Sequence, residues 1–113
     1  DTISDSDIFI FAGDNSGLQT QTLPANATIK FIGNKSLFPL NDVTSENAIG
    51  NLVFGDGTSS SENSLSGTIF TKKLEVKQNA TLIVPSAGNL TITADGSKIL
   101  GEINVKDGGI ITF

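Results

Sequence analysis

A short apolar–x–apolar triplet recurs along this chain, always between polar turns. The triplets are Ile8–Ile10, Ile29–Phe31, Leu52–Phe54, Leu74–Val76, Leu82–Val84, Leu90–Ile92, Ile103–Val105 and Ile111–Phe113. Alternation with period two puts both apolar members on one face of a strand. Apolar residues spaced i, i+3, i+4 do not persist over three turns anywhere, so no helix is expected. From residue 74 onward the triplets start at 74, 82, 90, 103 and 111, with one longer gap at 93–102. Upstream, the starts at 29, 52 and 74 are 23 and 22 residues apart. Sliding "TLIVPSAGNLTI" (81–92) by 21 positions onto "EINVKDGGIITF" (102–113) superimposes Leu82 on Ile103, Val84 on Val105, Leu90 on Ile111 and Gly88 on Gly109. Few other letters agree. A pattern kept while residues drift is what stacked layers demand, because inward side chains pile into columns and outward ones face water.

Three strands and three turns per 21–23 residues predict an all-β chain wound as a right-handed parallel β-helix. The same strand spacing also fits an antiparallel β-sandwich, whose turn signals recur every 8–12 residues. The alternative function is then a carbohydrate- or calcium-binding sandwich adhesin module, against which the absence of Trp and Tyr as sugar platforms counts. A rod-like scattering profile is the expectation for the first fold and a compact one for the second. Turn clusters rich in Gly, Asn, Asp and Ser separate the strands, as in "AGDNSG" (12–17), "PSAGN" (85–89) and "KDGG" (106–109). One domain over residues 1–113 is expected, with residues 1–40 as an N-terminal cap and 55–64, "GDGTSSSENS", as a loop insertion.

Composition removes several functions. There is no cysteine or histidine, which excludes disulfides, thiolate metal sites and the usual nucleophile–base pairs. All seven basic residues are lysines and the net charge is −5, which disfavours nucleic acid and anionic membrane surfaces. No apolar run approaches the roughly 18 residues of a membrane helix. A cysteine-free chain of this size fits a bacterial protein better than a small secreted eukaryotic domain. It lacks methionine and ends within an apolar pattern, as an excised piece of a longer chain would.

Few residues suggest chemistry. Glu75 and Glu102 lie on strands and could in principle pair as carboxylates; solvated strand-face charge is the plainer reading. Calcium, which takes six to eight oxygen ligands, has candidate ligands in Asp5, Asp7 and Asp14, though the spacing matches neither the EF-hand nor the nonapeptide repeat. No other cofactor is expected, and the chain reads as non-catalytic. Four N-x-[ST] sequons, at Asn26, Asn34, Asn79 and Asn89, read as turn Asn followed by strand Thr. Lys72, Lys73 and Lys77 read as edge protection, and Lys30, Lys77 and Lys106 as outward strand positions. The contact-loop candidates are Asp56, Ser60 and Glu62.

The segment "GTIFTKKLEVKQNATLIVPSAGNLTITADGSKILGEINVKDGGIITF" (67–113), with its irregular G-N-x-T and G-x-I-x-V units, resembles passenger domains of bacterial autotransporters. The bias toward Asn, Ile, Lys and Thr is similar to that of rickettsial outer-membrane surface antigens. "FIGN" (31–34) and the near match "GGII" (108–111) are similar to motifs of chlamydial polymorphic membrane proteins. The resemblance implies a β-helix stalk exported through the outer membrane and displayed at the bacterial cell surface. It also implies adhesion to a surface protein or glycan of a host or neighbouring cell, as part of a longer chain.

Overall fold

A computed structural model describes residues 8–11, 28–31, 36–37, 46 and 48–113. Eleven strands are assigned: β1 (Ile8–Phe11), β2 (Thr28–Phe31), β3 (Ser36–Leu37), β4 (Ile49–Phe54), β5 (Ser61–Leu65), β6 (Thr68–Val76), β7 (Ala80–Val84), β8 (Asn89–Ile92), β9 (Lys98–Ile99), β10 (Glu102–Val105) and β11 (Ile110–Thr112). No described residue is helical. Every strand pairing is parallel. This is a right-handed parallel β-helix, and the antiparallel sandwich is ruled out.

The coil has three faces. One face stacks β1, β2, the end of β4, the end of β6, and β9. The second stacks β3, β5, β7 and β10. The third stacks the start of β6 on β8 and then β11. The first and third faces merge into a single seven-stranded sheet because β6 runs unbroken round their shared corner. Its first half pairs with β8 and its last two residues with β9.

The offset of 21 read from the sequence is the pairing register. Glu102 to Val105 lie against Thr81 to Val84, and Ile110 to Thr112 against Asn89 to Thr91. Inward residues form columns: Ile29, Leu52 and Leu74; Phe31, Phe54, Val76 and Ile99; Ile69, Leu90 and Ile111. The members on the inner coils are 0% exposed. Phe31 and Phe54 stack with ring centroids 5.6 Å apart, a favourable aromatic geometry. Burying each large apolar side chain contributes about 1.5–3 kcal/mol, opposed by chain entropy.

The last coil differs. Ile99, Leu100, Val105, Ile110 and Phe113 are the large exposed hydrophobics among the described residues. Val105 is 41% exposed while Val84, one layer beneath it, is 0%. The difference is one covering layer.

Several expectations need correction. The loop read at 55–64 ends at Ser60; Ser61 to Leu65 form β5, with Ser61, Asn63 and Leu65 inward. Of residues 1–40, expected as a cap, the described strands β1 and β2 pair in parallel within the main sheet, and most of the rest lies outside the described residues. Asp5, Asp7 and Asp14 lie outside the described residues. The gap at 93–102 contains the short strand β9. Lys77 and Lys106 sit in turns just past their strands, not on them. Glu75 and Glu102 are on different faces, and Glu75 is ion-paired with Lys77 at 2.9 Å. The stack of described residues is short, with extents of 32 × 29 × 27 Å, and is not itself a rod.

Candidate functional site: a polar notch between two coils

The corner between the first and second faces carries the contact-loop candidates. Residues 55–60 leave β4 and enter β5 here, and one coil on, residues 77–79 link β6 to β7. The two links are tied together. Asp56 folds its own loop, accepting hydrogen bonds from the Thr58 N–H at 2.9 Å and the Ser59 N–H at 2.8 Å. This is the Asx geometry that Asp favours in turns. These donors hold the Asp56 carboxyl below its ordinary value, the Thr58 bond being the largest cause. The Thr58 carbonyl then accepts from the Asn79 side-chain amide at 3.1 Å, and the Ser61 N–H donates to the Asn79 carbonyl at 3.2 Å.

Asn79 can do this because of its backbone. Residues 77–80 form a turn closed by the Ala80 N–H on the Lys77 carbonyl at 3.1 Å, with Asn79 at φ +70°. A type II turn needs positive φ at its third residue, and Asn tolerates it. Below the corner the chain is small on the inside. Ser61 pairs with Ala80, and a side chain at Gly55 would meet the Ala80 Cβ at 2.7 Å.

Together these links enclose an open, largely polar depression of about 370 Å³ lined by Ser60, Ser61, Glu62, Asn79 and Thr81. Two of the three contact candidates, Ser60 and Glu62, therefore line it, and the third, Asp56, folds its rim. Sequence reading missed Asn79 and Thr81. Asn79 was visible only as a turn residue; joining it to Ser60 requires the local offset of 19 between Ser61 and Ala80, which departs from the 21–23 period. Along the second face, Glu62, Thr81 and Glu102 follow one another outward in register. Such an array can donate and accept hydrogen bonds. Among the described residues no group of three or more acidic side chains gathers as a metal would require.

No family model matches this chain, and no curated protein or solved structure does either.

Proposed function

We propose that the chain is a non-catalytic structural and adhesive module of a secreted bacterial surface protein, binding a cell-surface protein or glycan through the corner at residues 56–62. Fold alone does not choose a function, so the reading rests on the notch. Ser60 and Glu62 share one exposed polar depression with Asn79 and Thr81, on a loop pinned by Asp56 and Asn79. The resemblance of residues 67–113 to autotransporter passengers supports an extracellular stalk. The test is retention of the chain, coupled to fluorescent beads, on bacterial and animal cells. Retention should fall severalfold when Ser60 and Glu62 are both replaced by Ala. Absence of binding to any cell, or binding indifferent to that pair, contradicts the reading.

A further inference from the structure

We infer that the notch is a site for a neutral glycan, whose hydroxyls donate to an acceptor-rich wall; this rests on the adhesive reading above. Three observations point to that chemistry. First, the wall asks for donors. Glu62 contributes a carboxylate, which offers about four acceptor directions and so keeps capacity beyond any internal partner. The Asn79 amide spends one of its two N–H donors on the Thr58 carbonyl, and its side-chain oxygen adds an acceptor to the residues that line the depression. Ser60 and Thr81 have hydroxyls that serve either way. Paired hydroxyls on a sugar ring meet this set, whereas anionic ligands are opposed by Glu62 and by the net charge of −5.

Second, the wall extends along the stack. Glu62, Thr81 and Glu102 present acceptor, hydroxyl and acceptor in successive layers, about 4.8 Å apart. An oligosaccharide lying along the coil axis meets this series with consecutive rings. Third, the notch lacks what a protein partner would use. Its lining holds no large apolar or aromatic side chain, and interface energy concentrates on such anchors and the pockets that receive them. The loop is already held by Asp56 and Asn79, so binding costs little ordering.

The experiment is a titration of the isotope-labelled chain with methyl glycosides of glucose, galactose, mannose and N-acetylglucosamine and with their linear trisaccharides, followed by amide shifts. The expected result is millimolar binding by at least one probe, with shifts confined to residues 60–62, 79, 81 and 102 and stronger for the trisaccharide. Glu62→Gln should weaken it by about tenfold or more, since a bond to a charged acceptor is lost. Thr81→Val should weaken it severalfold, and Lys73→Gln, on another face, should leave it unchanged. Both notch positions face outward, so an unchanged spectrum elsewhere shows that the variants fold. No shift with any probe overturns the glycan inference, as does preferential binding of an oligolysine peptide at the same residues. Cell retention that survives Glu62→Gln but fails on Ser60→Ala with Glu62→Ala overturns the glycan while leaving the adhesive reading standing. Sugar binding without cell retention does the reverse.

Discussion

At the scale of the residue, three turns show how one backbone demand is met by different side chains. Residues 77–80, 85–88 and 106–109 each close with an i to i+3 hydrogen bond, at 3.1, 2.9 and 2.9 Å. The third residue is Asn79 at φ +70°, Ala87 at +66° and Gly108 at +83°. Alanine alone brings a Cβ without a compensating local bond, and the left-handed region costs an L residue roughly 1 kcal/mol. Ala87→Gly should therefore raise stability slightly, by up to about 0.5 kcal/mol in urea denaturation, because the greater chain entropy of glycine offsets part of the relief. Loss of stability would mean the turn is of another type. Asp56 allows a pH test. Its folded value is depressed by the Thr58 and Ser59 N–H bonds, so its contribution is present above the ordinary carboxylate range. It is lost as pH falls through the lower, folded value. Asp56→Asn should flatten the acid limb of the stability profile below about pH 4, measured by melting temperature against pH. Inward polar residues were the ones the sequence hid. "SENSL" (61–65) shows one apolar letter, so β5 reads as loop although Ser61 is 7% and Asn63 1% exposed. They lie in register with Ala80 and Leu82 of the next coil, at positions where an apolar rule expects bulk.

At the scale of the element, β6 carries the most information. It passes a corner without a turn because Thr71 points inward there, fully buried. Its hydroxyl lies 2.8 Å from the Lys73 carbonyl and 3.1 Å from that of Ile49 in the coil before. The strand's partner layer then opens at residues 93–97, and the Leu74 N–H is met by the Ser97 hydroxyl at 3.0 Å in place of a backbone carbonyl. Ser97→Ala should cost about 1–3 kcal/mol, the penalty of an unmet N–H, read by chemical denaturation; Ser97→Thr should recover most of it. The glycine before β10 marks a closer approach. A Cβ at Gly101 would stand 2.5 Å from the Lys77 carbonyl and nearer still to that of Ala80. Gly101→Ala should cost about 1–3 kcal/mol and expose the amides of β9 and β10 to exchange before those of β6 and β7. Uniform loss of protection would contradict the layered account. These features were illegible in the sequence because each depends on what lies one coil away. The triplets themselves were legible because burial repeats every second residue.

At the scale of the whole molecule, the winding was readable in its last 40 residues and obscure in its first. Leu82, Val84 and Leu90 repeat as Ile103, Val105 and Ile111 at a constant 21. Upstream the register changes from 20 between β1 and β2 to 23 between β2 and β4, and reaches 28 between β3 and β5. The stretches of sequence between these strands differ in length while the described pairings stay in register, so period alone loses the trail. A stack of this kind distributes stability layer by layer. Leu52→Ala, in the middle of a column and 0% exposed, should cost about 2–5 kcal/mol by denaturation. Ile111→Ala, on the half-covered last coil, should cost distinctly less.

The most direct test of the parallel winding is a methyl-labelled nuclear Overhauser spectrum of the unmodified chain. The fold places Leu82 beside Ile103, Val84 beside Val105 and Leu90 beside Ile111. Cross-peaks for all three pairs, at one shared offset of 21 residues, are the predicted result. Sequence sums that stay constant between partners, the signature of antiparallel strands, would contradict it.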